Sequence, residues 1–558
     1  MNAPPATRRR LWGGAFVVAL LTLAAQGSGL FGQFVEWDDP THITQNPVIR
    51  ALTPENLRAM FTAPIAKLYV PLTWLSFAVD YQIWGRDPFG YHLTNLLLHL
   101  ANTLLVLALV YQVLRERSPL AVPVAILSAA IFGVHPLRVE SVAWATERKD
   151  VLFAFFYLLA AVAYLRWVRE KKRAAYWLCL ILFIASALSK SAAVTFPLVL
   201  LLLDACLFRR RALAEKIPFF AVSLIVGLVT VAAQAGGEGQ TLVNTEAVPV
   251  WGRLGLVGYC SLFYVKKFFW PFHLSAVYPG FDELGWTPLK AAVWFCAFAA
   301  ITTSILALRR RVPALWPSWM YYLITLSPTI GLVPAGIHVV ADRFSYLPLL
   351  GLALPVSFGL VKAVRWLVGR QAVAGGAVAG VVAGLIVCLA VLSSQRARVW
   401  ENTETLFQNA IREDPDCLPA YINLTQWYTR HQEFDKAIAC GERAVQIAPD
   451  GLPGRKNLAH ALVRAGRTRD AIEVLRPAAE HHVEDLDVWR TLGQCFIARR
   501  DWKNARTACE TAMRLARDET DRTEISALLH SVQAHLDQGE ATPLSSPSLP
   551  LPPGPLPP

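Results

Sequence analysis

Two adjacent carboxylates, Asp38 and Asp39, stand in the stretch Phe34-Val35-Glu36-Trp37-Asp38-Asp39-Pro40, directly after the first long apolar segment. Residues 11–31 carry no charge, and a run of that length crosses the hydrocarbon core of a bilayer. A membrane helix needs no carboxylates at its mouth, and acids held at that depth are costly and as a rule functional. The chemistry open to such a pair is proton abstraction, one carboxylate accepting the proton of an attacking hydroxyl. A solvated Asp-Asp turn leading into Pro40 is the plain alternative.

More charge follows downstream. His135-Pro136-Leu137-Arg138-Val139-Glu140-Ser141-Val142-Ala143-Trp144 precedes Glu147-Arg148-Lys149-Asp150. These groups either pair only with one another or hold a phosphate while a carboxylate orients a sugar or hydroxyl. Arg suits phosphate because its planar fork donates two hydrogen bonds at once. Lys190 in Ser189-Lys190-Ser191 interrupts two apolar runs and needs an anionic partner there. Ala341-Asp342-Arg343-Phe344 supplies a further acid and cation. The candidate phosphate contacts are Arg138, Arg343, Lys190, Arg148 and Lys149; Glu140, His92, His99 and Asp342 are candidates for lining a cavity. Lys266 and Lys267, among aromatics, suit a lipid headgroup level.

His92, Asn95, His99 and Asn102 share one helix face by their 3-4-3 spacing, and polar groups in lipid turn toward the bundle interior. A metal between His92 and His99 fits poorly, since seven residues of helix separate them by about 10 Å. Hydrogen bonding inside the bundle fits better. No residue is assigned to a metal and no cofactor is implied; a divalent metal stays open.

The elements that must position these groups are membrane helices. The chain has 558 residues, 54% of them hydrophobic, and its polarity changes abruptly near Ser394. Apolar spans fall near 12–31, 93–114, 119–135, 151–168, 175–189, 191–208, 217–235, 288–308, 317–336, 344–364 and 371–394. The net charge of +12 does not point to nucleic acid, because Arg8–Arg10, Arg115–Arg117, Arg169–Arg173, Arg209–Arg211, Arg309–Arg311 and Lys362–Arg370 all flank spans. With the N-terminus (1–11) inside and the first helix retained, eleven spans place every one of these clusters in the cytoplasm. The segment 252–270 is then re-entrant or interfacial. The outer face receives the first loop 32–92, residues 135–150, 189–190, 236–287 and 337–343. Gly376, Gly380 and Gly384 in the last span predict a close helix neighbour. Nine cysteines without a CxxC give neither a disulfide framework nor a zinc motif.

Beyond the transmembrane domain 12–394, residues 395–538 read as a repeat domain. Windows 418–451, 452–485 and 486–519 align without gaps, matching Leu424 with Leu458 and Leu492, Tyr428 with Leu462 and Phe496, and Ala437 with Ala471 and Ala505. That period and pattern predict tetratricopeptide (TPR) repeats, each a helix pair. Arg455 stands at the aromatic position of the second repeat. Thr403, Phe407, Ala410 and Pro415 mark a preceding half repeat, and 520–537 a polar capping helix. The tail 539–558 is Pro-rich and expected to be disordered.

The blocks WDDPTHITQNP, VPLTWLSFAVD, GYHLTNLLLHLANTLL, HPLRVESVAWATERKDVL, ALSKSAAVTFPLVLLLLD, EKIPFF and ADRFSYLPLLG together resemble the transmembrane and tetratricopeptide-repeat O-mannosyltransferase family and its bacterial relatives. The resemblance runs from about residue 31 to 519. It implies an all-α, GT-C-type polytopic bundle followed by an α-solenoid, an inverting glycosyltransferase and a polyprenyl-phosphate-linked sugar donor. It also places the catalytic acidic pair at Asp38 and Asp39. The acceptor is expected to be a protein or peptide hydroxyl, with the TPR groove as its docking surface and the bilayer as the remaining partner. The repeat domain is expected outside the cytoplasm, in the periplasm for a bacterial protein. The competing reading is a membrane-anchored TPR scaffold without catalysis.

Overall fold

The computed structural model describes residues 4–235, 248–281, 283–330 and 339–538, and every regular element among them is a helix. The chain divides into two units, Met1–Leu406 and Phe407–Pro558. Within lipid a backbone must satisfy its own hydrogen bonds, which is why the apolar runs of the first unit are helices.

Among the described residues eight helical segments are long and apolar enough to cross a membrane: Pro5–Phe31, Pro88–Leu114, Ala145–Glu170, Ser191–Phe208, Ala214–Gln234, Pro288–Leu308, Leu350–Val368 and Ala372–Val399. Three of the expected spans take other forms. The run at 119–135 continues as a pair, Ala121–Val134 and Pro136–Ala143, bent by 60°. Pro136 lacks the N–H that would continue the helix, so the chain turns there. The run at 175–189 is the apolar helix Arg173–Ser189, and the run at 317–336 is the helix Leu315–Leu326 followed by a short turn. The segment expected to be interfacial is the twenty-residue helix Val250–Phe269, with Lys266 and Lys267 in its last turn. It packs closely on Pro288–Leu308, where a Cβ on Gly258 would stand 2.4 Å from the Trp294 carbonyl oxygen.

The glycine expectation for the last span is corrected. Gly376, Gly380 and Gly384 face open space, whereas Gly375, one residue off that stripe, lies against Val368. Four-residue spacing permits a close neighbour but cannot supply one.

Three of the four polar residues on the face of Pro88–Leu114 hydrogen-bond inside the bundle, while the His92 ring nitrogens have no hydrogen-bond partner among the described residues. Asn95 Nδ2 donates to the Trp144 carbonyl at 3.0 Å, and Asn102 Nδ2 donates to the Val151 carbonyl at 2.8 Å. The His99 ring bridges the Tyr346 hydroxyl at 2.8 Å and the Gly133 carbonyl at 3.1 Å.

In the second unit three helix pairs fall within the three windows: Leu418–Arg430 with Phe434–Ile447, Leu452–Arg464 with Thr468–His481, and Leu486–Ala498 with Trp502–Leu515. Glu519–Asp537 follows. Leu424, Leu458 and Leu492, with the matched alanines Ala437, Ala471 and Ala505, are all buried. The irregular Arg455 does the work of the aromatics it replaces. Tyr421 Oη donates to the Pro415 carbonyl, Arg455 Nε to that of Pro449 and Trp489 Nε1 to that of Val483. Each bond reaches six residues back and ties an inter-repeat turn to the next helix. The 539–558 tail, residues 236–247 and residues 331–338 lie outside the described residues.

Candidate functional site

Asp39 is buried, and both of its oxygens are occupied. Oδ2 accepts the Val35 N–H at 2.7 Å, and Oδ1 accepts the Thr146 N–H at 3.1 Å together with the Thr146 hydroxyl. It thereby closes the first-loop turn and binds it to the turn before Arg148–Glu170. Burial pushes its carboxyl up to about 6, against the lowering effect of these hydrogen bonds. Asp38 is only half-buried. Its carboxyl is also raised, first by burial; Lys149 and Arg343 nearby pull it down and Glu147 pushes it up. Of the two acids, Asp38 is the more exposed.

The loop is fastened from two further sides. Gln33 N–H donates to the Glu401 carbonyl at 2.7 Å and Glu36 N–H to Thr403 Oγ1 at 2.8 Å. Trp37 stacks on Trp144 at 5.1 Å between ring centroids, and Trp144 stacks on Trp400 at 5.2 Å. The Arg343 guanidinium lies 5.6 Å from the Trp144 ring centroid.

A charge cluster sits beside Asp38. Glu147 is 3.0 Å from Lys149, 3.5 Å from Arg343 and 3.9 Å from Lys190. Lys190 also pairs with Asp150, and Arg343 pairs with Glu140, whose second oxygen accepts the Arg343 N–H at 3.1 Å. Buried carboxylates and cations in this number persist because each charge has an opposite neighbour. Lys190, Arg343 and Asp150 line a small, partly open cleft. Thr195, Thr325 and Thr329 line it further, and Phe153, Phe344, Leu347 and Pro348 give it an apolar wall.

Sequence-selected residues thus separate by environment. Lys149, Lys190 and Arg343 meet at the cluster. Arg138 and Arg148 do not: both are buried and bound to protein groups. Arg138 Nη1 donates to the Ser345 and Tyr346 carbonyls at 2.9 and 2.6 Å. Arg148 donates to Asp80 at 2.6 Å, to Ser76 at 2.7 Å, to the Tyr91 carbonyl at 2.9 Å and to Asn95. Both tie loops together, Arg148 through Nε, Nη1 and Nη2, and Arg138 through Nη1, its Nε being without a hydrogen-bond partner among the described residues. His92, His99, Glu140 and Asp342, expected to line a cavity, are buried and none lines this cleft. Asp342 accepts from Tyr278 Oη at 2.7 Å, and burial raises its carboxyl to about 7. Among the described residues no group of three or more His, Cys, Asp or Glu is arranged to hold a metal ion.

Four participants carry no site assignment in the sequence: Asp80, Glu147, Thr146 and Asp150, the last of which lines the cleft. Asp80 sits in an apolar helix, a position that a charge occupies only with a partner, and that signal was there to be read. Glu147 was visible only as one acid among many. Thr146 gave no signal at all.

A tetratricopeptide-repeat family model matches residues 456–520. The human protein O-mannosyl-transferase TMTC4 is 24% identical over 474 residues, covering 73% of this chain and 63% of the relative. Tmtc3 of Drosophila melanogaster, also named a protein O-mannosyl-transferase, is 24% identical over 605 residues, covering 90% of this chain and 63% of the relative. The chain therefore spans 63% of the length of these curated relatives. The family resemblance read from the sequence blocks is borne out by these relatives. Among solved structures, ArnT from Cupriavidus metallidurans bound to undecaprenyl phosphate aligns over 86% of this chain and 81% of its own at 13% identity, with a TM-score of 0.31. Yeast Tom70 aligns over 74% of this chain and 92% of its own, at 13% identity and a TM-score of 0.24. Scores that low carry no argument.

Proposed function

We propose that the chain is a GT-C-type membrane glycosyltransferase that moves a hexose, mannose first among those to test, from a polyprenyl-phosphate donor to a protein Ser or Thr hydroxyl. The observation that carries this reading is the half-buried Asp38 beside Lys149, Glu147 and Arg343, next to a cleft with cations and an apolar wall. Asp38 takes the proton of the acceptor hydroxyl as its oxygen attacks the anomeric carbon. The bond from that carbon to the phosphate oxygen breaks with inversion, and its electron pair stays on the phosphate. Arg343 and Lys190 stabilise the charge that develops there, so the leaving group needs no proton. Asp39 holds the loop and does not touch substrate. The prenyl chain follows the apolar wall, and the TPR groove presents the acceptor.

The reaction is assigned to the extracytoplasmic face. In support, contacts gather loops 32–92, 135–150, 189–190 and 339–345 at one end of the bundle. The basic loops near Arg117, Arg169 and Arg210 gather at the other, which suits the cytoplasm by the positive-inside rule. On this reading the N-terminus lies inside and the repeats outside. A reporter that is active only in the cytoplasm, fused after Asp537, stays silent on this reading; a signal from it reverses the sidedness. For the activity, purified protein is given radiolabelled polyprenyl-phosphate mannose and Ser/Thr peptides. Label in the peptide is the expected result, and its absence across hexose donors leaves the scaffold reading.

A further inference from the structure

Glu147 contacts more cations than any acid around it, yet it sits behind them rather than in the cleft. It is buried, and it stands within ion-pair distance of Lys149, Lys190 and Arg343. Its Oε2 has no hydrogen-bond partner among the described residues. Lys190 and Arg343 line the cleft, while Lys149 is the cation with the largest effect on Asp38. The cations come from three separate segments: Lys149 from the start of a helix, Lys190 from the break between two others, and Arg343 from the turn Asp342–Ser345. Nothing in local structure brings them together. Mutual repulsion would spread three cations apart, so an anion must hold them.

The turn that carries Glu147 is itself fixed on both sides. Thr146 is bound by Asp39, and Arg148 is bound by Asp80, Asn95, Ser76 and the Tyr91 carbonyl. Glu140 and Asp150 complete the surroundings, each paired with one cation, Arg343 and Lys190 respectively. Glu147 alone reaches all three.

We propose that Glu147 is a positioning residue that gathers Lys149, Lys190 and Arg343 into one cationic face joining the phosphate end of the cleft to Asp38. This deepens the transferase reading and rests on it for the identity of the phosphate. A mere counter-ion would act in the opposite direction: removing its negative charge would strengthen the binding of an anionic phosphate. A positioning carboxylate makes that binding weaker when removed, because the cations lose their common site.

The test uses full-length protein in detergent, as wild type, Glu147→Gln and Glu147→Asp, each accepted only if it elutes as a single folded species. Binding of a polyprenyl monophosphate is followed by tryptophan fluorescence. Lysine labelling by an amine-reactive reagent is followed by mass spectrometry without any ligand. Lys149 and Lys190 retain 14% and 17% side-chain exposure and can be labelled. Glu147→Gln is expected to weaken phosphate binding by about 10–100-fold, as loss of groups that orient binding residues does elsewhere. It should also speed labelling at both lysines. Glu147→Asp keeps the charge and recovers most of the loss. Unchanged or tighter phosphate binding in Glu147→Gln overturns the proposal, as does unchanged labelling. If labelling changes while wild type binds no polyprenyl phosphate, the positioning role stands and the donor assignment falls.

Discussion

The helix Arg148–Glu170 has a charge cluster at each end, and the two clusters are built on different plans. Near its C-terminal end a single acid, Asp204, is buried and accepts from Tyr164 Oη at 2.6 Å, Arg210 Nε at 2.8 Å and Lys216 Nζ. Arg210 continues to Glu215 at 2.6 Å, and the loop is closed. Near its N-terminal end several acids and cations share partners, one oxygen of Glu147 stays without a hydrogen bond among the described residues, and Asp38 keeps a half-open face. A buried acid with both oxygens hydrogen-bonded to its surroundings, as Asp204 is, holds a loop. A cluster with valences left over, beside a cleft, can receive a ligand. Charge density alone does not separate the two; satisfaction of the charges does.

The largest expected effect breaks the open cluster. Asp38→Asn keeps the size of the side chain but cannot accept a proton, and kcat should fall about 10²–10⁴-fold with elution and membrane insertion intact. Full transferase activity in this variant removes Asp38 as the base.

Asp204→Asn probes the closed cluster. Removing one partner of a buried ion network costs about 3–5 kcal/mol, so thermal unfolding in detergent should move well down while the folded fraction keeps its kcat/KM. A variant of wild-type stability that has lost catalysis would reverse the roles of the two ends.

The pH profile sharpens the contrast. Asp38 must be ionised to act, and burial holds its carboxyl above the ordinary 3.8. Activity should therefore fall, as pH is lowered, along a limb centred above that value. Lys149 is the cation that pulls the same carboxyl down most, so Lys149→Met should move the limb to higher pH. A limb that does not move in that variant argues against Asp38 as the titrating group.

The smallest effect concerns the repeats. Arg455→Leu removes the bond to the Pro449 carbonyl and should destabilise the second unit by about 0.5–1.5 kcal/mol, whereas Arg455→Trp should restore most of it. Equal melting of both variants would show that the six-residue tie contributes nothing.

Sequence by itself determined what depends on local period and on transfer from water. Charge-free runs of span length specify membrane helices whatever lies beside them, and the 34-residue pattern fixes the repeat helices because each buries the same small and large positions. The acidic pair stands out in the sequence as a candidate, since two carboxylates at a span's mouth have no role in holding it in lipid, but a solvated turn fits the same residues. What sequence left open was which charged group faces which. Arg138, Arg148, Lys149 and Arg343 are the same kind of cation in the same kind of segment. Only packing sends two of them into backbone carbonyls and buried acids and leaves two beside Glu147. The division of labour between Asp38 and Asp39 was likewise decided in three dimensions, by the Thr146 and Val35 donors that occupy one acid and not the other. Several of these choices rest on contacts between residues far apart in sequence, 107 positions for Thr146 with Asp39 and 208 for Arg138 with Tyr346. Their energies depend on desolvation and distance, and neither is written in the order of residues along one strand of chain.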